Sequence, residues 1–403
     1  MNPDLKKLQP YPFEKLNALK AKAVEKMGQP AVQGHIPLSI GEPKHESPKF
    51  VLDSIRDNLD LISLYPLTKG GVELRTAIAN WLTRRFQLSD DMVDPEQHVL
   101  PVTGTREALF SFAQCFIDRS DDAVIMMPNP FYQIYEGAAF LSGAEPYFYN
   151  TVKENDYLPD FDAIDESVWQ RCQIIYICTP GNPTGSVITK GQLTKLIALA
   201  KKYDFIIASD ECYSEIYFDR DNPPTGLLEA ADACGNTSFE NCIVFHSLSK
   251  RSNLPGMRSG FVAGDANLIK SYLLYRTYHG CAMPPVHQVA SIEAWSDEAH
   301  VEQNRELYVK KFDAVIDILS PVIKVTSPDA GFYLWLNTPV DDETFAGELY
   351  AQQNVTVLPG SYLSRESGGI NPGKDHVRMA LVAPFDECVT AAKRIKEYIQ
   401  TLN

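Results

Sequence analysis

The 403-residue sequence lacks paired cysteines and zinc-type ligand clusters. Its eight cysteines form no Cys-x-x-Cys pair and have no histidines beside them at the spacing of zinc ligands. Several lie in apolar runs, which favours small buried residues over the two alternatives, a catalytic thiol or a structural metal. We therefore expect no metal site.

The sequence also lacks an apolar segment of membrane-spanning length and an excess of positive charge. Its first residues, MNPDLKKLQPYPFEKL, contain no apolar signal-peptide core, so we expect a protein of the reducing cytoplasm. The formal net charge is −15, from 37 basic and 52 acidic residues. Nucleic acids and anionic membranes bind basic surfaces, so neither is an expected partner. Any anionic substrate must be met by local cations.

Short apolar runs alternate with helical patterns along the first two thirds of the chain. Apolar residues make up 44% of the sequence, the balance of a globular protein with room for two domains. The predicted strands are HVLPV, AVIMM, QIIYIC, FIIA and CIVF. The segments TREALFSFAQCFI and TKGQLTKLIALAKKY have apolar residues on one helical face. This alternation predicts an α/β fold with a mostly parallel sheet between helices.

The pattern changes near Pro284, where we predict one long connecting helix at about 285–320. Beyond it we predict four strands, VIKVT, FYLWLN, VTVLP and HVRMALV, and two helices, DDETFAGELYAQQ and FDECVTAAKRIKEYIQTL. These elements indicate a smaller α+β domain of residues 1–44 and 291–403, completed by a helix around Phe13 to Met27. It would lie beside a large domain of residues 45–290, with a ligand cleft between the two.

Polar, turn-forming residues follow four of the predicted strands. Ligand sites of open parallel sheets gather at the carboxyl ends of the strands, so these segments are candidates for one site. They are Thr103 to Arg106, Thr179 to Gly185, Ser209 to Tyr213 and His246 to Lys250.

Each candidate taken singly also has an ordinary structural explanation. Gly104 at a strand-to-helix turn exposes backbone N–H groups that suit a phosphate, or it simply precedes a capped helix. Lys250 is a nucleophile only if burial or nearby cations lower its pKa, and is otherwise a solvated loop lysine. Asp210 ends an apolar strand, where a carboxylate needs a donor such as a pyridinium N–H, or it caps a helix.

Taken together, the segments TGTREAL, PGNPTG, SDECY and SLSKRSNLPGMRSG resemble, in order and over nearly the whole chain, the fold-type I aminotransferases of class I and II. The resemblance implies the aspartate-aminotransferase-like fold, with a mostly parallel sheet in the large domain and a smaller α+β domain. It implies transamination on pyridoxal 5′-phosphate between small amino acids and keto acids. It also implies a homodimer with shared active sites.

The resemblance further implies a role for each matching residue. The implied catalytic residues are Lys250, Asp210 and Tyr213. Lys250 bonds to the cofactor aldehyde and transfers the proton between the substrate and the cofactor, and Asp210 faces the ring nitrogen. The implied cofactor-binding residues are Tyr65 (from the neighbouring subunit), Gly104, Thr105, Arg106, Tyr132, Asn182, Asp210, Tyr213, Ser247, Ser249, Lys250 and Arg258. Gly41 and Arg378 are implied to contact the substrate α-carboxylate.

Residues 275–312 resemble the corresponding segment of bacterial N-succinyldiaminopimelate aminotransferases. This likeness implies transfer between N-succinyl-L,L-2,6-diaminopimelate and 2-oxoglutarate, in lysine and diaminopimelate biosynthesis. Arg276 is the predicted contact for a distal carboxylate, with a helix-surface ion pair as the alternative. Lys44, His279 and Arg365 are less favoured candidates. The other functions in view are a general aspartate, aromatic or alanine aminotransferase, a C–S lyase and a non-catalytic sensor.

Overall fold

The apolar runs form the strands of the protein in a computed structural model, which describes residues 2–30 and 32–402. The strands, β1 to β12 in chain order, are Ile36–Pro37, Val99–Val102, Val124–Asn129, Glu145–Asn150, Cys172–Cys178, Ile206–Asp210, Cys242–Ser247, Gly260–Gly264, Tyr333–Asn337, Val355–Thr356, Leu358–Pro359 and His376–Ala380. The α-helices, α1 to α14, are Pro12–Met27, Lys49–Asp57, Val72–Phe86, Thr105–Phe116, Gln133–Ser142, Glu166–Trp169, Lys190–Tyr203, Leu227–Ala233, Leu248–Arg251, Ala266–His279, Pro285–Ser296, Ala299–Leu319, Asp342–Gln353 and Phe385–Leu402.

Seven strands form the main sheet, in the order β2-β8-β7-β6-β5-β3-β4. Only β8 runs antiparallel to its neighbours in this sheet, so the prediction of a mostly parallel sheet is confirmed. Except for the edge strand β4, its strands are mostly buried, which explains the continuous apolar sequences of β2, β3, β5, β6 and β7. One face packs against α3, α7, α8 and α11, and the other packs against α4, α5 and α10.

A second core forms around the antiparallel sheet β11-β12-β9 and the helices α12, α13 and α14. The helix predicted around Phe13 to Met27 is α1, which packs beside α13. The domain boundaries at residues 44 and 290 stay a prediction. No helix among the described residues combines the length and apolar character needed to cross a bilayer.

The predicted connecting helix at about 285–320 is wrong in its continuity, because the structure has two helices there, α11 and α12. Asp297 leaves the helical conformation, with φ −108° and ψ 132°. Its carboxylate accepts a 3.0 Å hydrogen bond from the backbone N–H of His300, at the start of α12. An aspartate that satisfies such a free N–H favours a new helix start over continuation.

Two of the later strand predictions also need correction. VIKVT forms no strand, because the N–H groups of Val322 and Ile323 bond to the carbonyl of Leu319 in a turn that closes α12. VTVLP divides into two short strands on different sheets: β10 pairs with β1, and β11 pairs with β12.

Candidate active site

A cavity of about 450 Å³ opens at the carboxyl ends of β2, β6 and β7. It brings together most of the residues that the sequence predicted for one site. Those that line it are Gly41, Thr105, Arg106, Tyr132, Asn182, Asp210, Tyr213, Ser247, Ser249, Lys250, Arg258 and Arg378. Because β5, β6 and β7 are neighbouring parallel strands, residues far apart in sequence arrive at the same edge of the sheet.

Lys250 lies in the short helix α9, which follows β7 directly. Its Nζ donates a 2.6 Å hydrogen bond to the carbonyl oxygen of Gly41 and lies 5.3 Å from the centre of the Phe332 ring. Desolvation lowers the pKa of Lys250 from 10.5 to about 8, and Arg378 and Arg258 act in the same direction. A substantial fraction of this amine is therefore neutral and nucleophilic near pH 8.

Asp210 is the last residue of β6, and its side chain is buried. Its carboxylate accepts a 2.7 Å hydrogen bond from the Tyr135 hydroxyl and a 3.3 Å bond from the backbone N–H of Cys212. Desolvation raises the pKa of Asp210, and no salt bridge to a lysine or arginine among the described residues offsets it. A cationic donor in the cavity, such as a protonated ring nitrogen, would supply the missing counter-charge.

The part of the cavity near Arg258 and the start of α4 has the groups that bind a phosphate. Gly104 has φ 94° at the start of α4, and a Cβ there would lie 2.2 Å from Arg258 Nη2. No side chain caps this helix start, so its first N–H groups are open to an anion. Ser247 and Ser249 lie beside this region, with their hydroxyl oxygens 3.0 Å apart.

Arg378 lies on β12 and is buried, yet its guanidinium reaches the cavity. Nη1 donates to Asn182 Oδ1 at 2.9 Å, and Nη2 donates to the carbonyl of Ser39 at 2.8 Å. Nε is buried and has no protein acceptor among the described residues. A guanidinium held in this way can bind a carboxylate through two hydrogen bonds, in a bidentate contact. Because Asn182 accepts through Oδ1, its NH₂ group remains available as a donor.

Two tyrosines, Tyr213 and Tyr333, line the cavity beside Arg378. The hydroxyl oxygens of Tyr213 and Tyr333 are 3.0 Å apart, and the Tyr333 ring lies 4.4 Å from the Arg378 guanidinium carbon. A Cβ at Gly41 would lie 2.1 Å from the Tyr333 hydroxyl, so only glycine fits there. Tyr132 lines the cavity beside α5, and burial raises its pKa.

Arg276, the predicted contact for a distal carboxylate, does not line this cavity. It is fully buried, and Nη1 lies 2.8 and 2.9 Å from the two carboxylate oxygens of Glu107. Nη2 donates to the carbonyl of Cys281 at 3.2 Å. The structure thus pairs Arg276 with Glu107, in keeping with the ion-pair alternative for this residue.

The less favoured distal candidates also lie outside the cavity lining. Lys44 pairs with Glu42 at 3.3 Å, and Arg365 pairs with Glu136 at 2.6 Å. His279 is an exposed residue in the last turn of α10. Tyr65 is fully exposed and does not line the cavity either.

Several aromatic residues in and around the site were not predicted from the sequence, among them Tyr135, Tyr333 and Phe332. Tyr135 follows Tyr132 by three residues, the spacing of one helical face, so this signal was available. Tyr333 and Phe332 reach the site through the pairing of β9 with β12, where Tyr333 lies opposite Ala380. That register was not readable from the separate strand sequences.

Comparison with known proteins relates this chain to aminotransferases. The family model of class I and II aminotransferases matches residues 33–392. A crystal structure of an aminotransferase from Neisseria meningitidis Z2491 is 49% identical, with TM-score 0.93, and the match covers 99% of this chain and 100% of that one. The aminotransferase AspB from Helicobacter pylori 26695 is 36% identical, with TM-score 0.88, covering 98% and 99%. The LL-diaminopimelate aminotransferase of Nitratidesulfovibrio vulgaris (strain Miyazaki F) is 32% identical over 397 residues, 96% of each chain.

Proposed function

The chain belongs to the class I and II aminotransferase family, whose members depend on pyridoxal 5′-phosphate, and we propose that the described cavity is its transamination site. The observation that carries this proposal is the shared lining of one cavity by the Lys250 amine, the Asp210 carboxylate and the Arg258 guanidinium. An aldehyde, a ring nitrogen and a phosphate require these three groups.

The proposed cofactor contacts follow from the donors and acceptors in the cavity. Arg258, Ser247, Ser249 and the open N–H groups at the start of α4 would hold the phosphate. Asp210 would keep the ring nitrogen protonated. The positive ring nitrogen would in turn offset the free-energy cost of burying the Asp210 carboxylate without a counter-ion. When bound, the cofactor draws electrons from the substrate Cα through its ring.

The proposed contacts on the other side of the ring use the remaining polar groups. The Asn182 amide and the Tyr213 hydroxyl would donate to the ring oxygen. Tyr132 would lie against the ring face.

Lys250 is the proposed proton carrier at the substrate Cα. A general base works best with a pKa near the operating pH, and burial brings the pKa of Lys250 to about 8. Arg378 would hold the α-carboxylate in its fork, beside the Gly41 backbone. The Asn182 and Ser39 contacts fix the plane of that fork before the substrate arrives.

The charges of the cavity support an acidic substrate. Four cations line it, Arg106, Lys250, Arg258 and Arg378, against one carboxylate, Asp210. Lys250, Arg258 and Arg378 are already assigned to the proton transfer, the phosphate and the α-carboxylate. The Arg106 guanidinium has no carboxylate partner among the described residues, and its carbon lies 5.6 Å from the centre of the Tyr11 ring. We assign the Arg106 guanidinium to a distal carboxylate of the substrate, while its backbone N–H stays with the phosphate.

This balance favours N-succinyl-L,L-2,6-diaminopimelate, with glutamate and 2-oxoglutarate as the other pair. Succinylation turns the distal ammonium into a neutral amide and adds a carboxylate, which suits a lining rich in cations. A free distal ammonium would need a carboxylate, and among the described lining residues the only one is buried Asp210.

A second candidate is the unmodified substrate, favoured by the names of relatives such as the LL-diaminopimelate aminotransferase of Aquifex aeolicus, which is 32% identical over 400 residues. The decisive experiment compares kcat/KM for succinylated and free L,L-diaminopimelate on the purified enzyme. Aspartate, alanine, phenylalanine and cystathionine test the general aminotransferase and C–S lyase alternatives. A hundredfold preference for any of these over the succinylated compound would reject the proposed substrate.

We also propose a homodimer with shared active sites. Segment 59–67 exposes a run of large apolar residues: Leu59, Ile62, Leu64, Tyr65 and Leu67. Tyr65 is 100% exposed and Ile62 is 76% exposed, an unusual concentration for a free surface. A second copy would cover this segment, and Tyr65 would then reach the phosphate of the neighbouring site.

A further inference from the structure

Asn304, on α12, has a side chain whose amide is fully used. Its Oδ1 accepts from His45 Nδ1 at 2.7 Å and from Asn253 Nδ2 at 2.9 Å. Its Nδ2 donates to the carbonyl oxygens of Lys250 and Arg251, both at 3.4 Å. Two accepted and two donated hydrogen bonds are the full complement of an amide.

These partners belong to the two segments that hold the reactive lysine. Segment 41–47 accepts the Lys250 amine through the Gly41 carbonyl and carries His45. It is tied again where Ser47 Oγ donates to the carbonyl of Asn253 at 3.0 Å. Segment 41–47 therefore binds the side-chain amine of Lys250, and Asn304 binds the backbone carbonyl of Lys250. Asn304 also binds segment 41–47, through His45.

We propose that Asn304 is a positioning residue for Lys250: it fixes helix α9 and segment 41–47 relative to each other, and so fixes where the amine lies. The inference rests on the proposed function, because it matters for catalysis only if Lys250 is the reacting amine. Asn304 itself is not in the cavity lining, so it acts through its partners.

The chemistry of the amide explains why no carboxylate can replace it. Aspartate has the same shape but cannot donate to the two backbone carbonyls, and its charge would repel their oxygens. The neighbouring His45 is neutral, since burial lowers its pKa to about 4. A carboxylate would draw a proton to this ring and disturb segment 41–47.

The test measures the Lys250 amine in the full chain freed of cofactor. Reductive methylation with formaldehyde, read by mass spectrometry from pH 6 to 10, gives the titration midpoint of Lys250, expected near pH 8. The groups that act on this amine are Cys212, Arg378, Glu42 and Arg258. The Asn304→Asp substitution leaves these four residues unchanged. It adds a negative charge and makes the Lys250 amine less buried. Both effects favour the ammonium, so the midpoint should rise by at least half a pH unit.

The loaded enzyme supplies the second readout. Displacement of the amine impairs proton transfer more than substrate binding, so kcat should fall at least tenfold while KM stays within threefold. Gln303→Asp adds the same charge on the exposed face of α12 and should leave both readouts unchanged. If Asn304→Asp does not fold, the inference is tested with His45→Ala. This substitution removes the hydrogen bond between His45 and Asn304, so it should also raise the titration midpoint of Lys250.

A parental midpoint in both Asn304→Asp and His45→Ala would overturn the inference. A parent enzyme with a midpoint near pH 8 but without amino transfer would instead reject the proposed function, while the labelling comparison would still decide the role of Asn304. Non-additive effects of the two substitutions, with the double variant no worse than the worse single one, would support a single connected unit.

Discussion

The Nζ atom of Lys250 lies 2.6 Å from the carbonyl oxygen of Gly41, 209 positions earlier in the chain. This contact joins the end of β7 to the segment that follows β1, so the amine is held across the junction of the two cores. Desolvation lowers the pKa of this lysine to about 8, although Cys212 and Glu42 act in the opposite direction. About half of this amine is therefore neutral at pH 8, the form required for its proposed reaction with the cofactor aldehyde.

The first prediction separates two lysines with equally lowered pKa values. Burial lowers the pKa of both Lys250 and Lys311 to about 8, but only Lys250 lines the cavity. Borohydride reduction of the loaded enzyme should fix the cofactor mass on the Lys250 peptide alone. Below pH 8, the rate of cofactor attachment should rise about tenfold per pH unit, because only the neutral amine reacts.

The matched variants are Lys250→Ala and Lys311→Met. The first should lose activity by about 10² to 10⁴-fold, the range for a positioned proton carrier. The second should keep both attachment and activity, since Lys311 lies in the second core, where it donates to the carbonyl of Val382 and lies 5.2 Å from the Tyr308 ring centre. Full activity in Lys250→Ala would reject the mechanism.

The second prediction concerns Asp210 and has opposite signs for stability and activity. Burial raises the pKa of Asp210, so the folded chain binds its proton more tightly than the unfolded chain does. In the cofactor-free protein, ionised Asp210 therefore destabilises the fold as pH rises through the raised pKa. Asp210→Asn should increase the free energy of unfolding at pH 8, and the gain should shrink as pH falls toward the ordinary value of 3.8.

The same substitution should lower kcat by on the order of a hundredfold, because a neutral amide cannot hold the proton on the ring nitrogen. Tyr135→Phe removes the 2.7 Å hydrogen bond but keeps the carboxylate, so its loss of activity should be smaller. Thermal melts of the cofactor-free chain and steady-state rates of the loaded enzyme give the two readouts. Equal activity of Asp210→Asn and the parent would contradict the assignment.

The third prediction tests Arg106 as the contact for a distal carboxylate. Arg106→Ala should lower kcat/KM for glutamate by about 10-fold to 100-fold, the worth of a charge-assisted hydrogen bond. The same variant should leave kcat/KM for alanine within about threefold, because alanine has no second carboxylate. Arg106→Lys should restore part of the loss. A uniform decrease for both substrates would instead place the guanidinium on the cofactor.

The fourth prediction concerns segment 59–67. A charge in an apolar interface is costly, so Ile62→Asp with Leu67→Asp should shift the protein to a monomer. Its activity should fall together with the dimer fraction, since Tyr65 would no longer reach the neighbouring site. Leu307→Asp changes an exposed apolar residue on α12 and should leave the dimer intact. Sedimentation of a fully active monomer would contradict the shared site.

The amino-acid sequence by itself determined the local elements and the chemistry at their ends. Short apolar runs closed by turn residues predicted β2, β3, β5, β6 and β7, because a buried strand requires apolar side chains on both faces. Since parallel strands meet at one edge, Asp210 and Lys250 were expected together, and both line the cavity. The helix break at Asp297 was missed, because one capping hydrogen bond outweighs a continuous helical pattern.

Only the tertiary structure decided which charges remain free. Arg276 and Arg106 look alike as residues of helical segments, yet Arg276 pairs with Glu107, whereas Arg106 lines the cavity without a salt bridge to any described residue. Tyr333 likewise comes to the site, and Asn304 to the backbone of Lys250, through contacts with residues far away in the chain. Local sequence patterns fix the period and the ends of an element, whereas burial and ion pairing depend on neighbours that only the folded chain brings together.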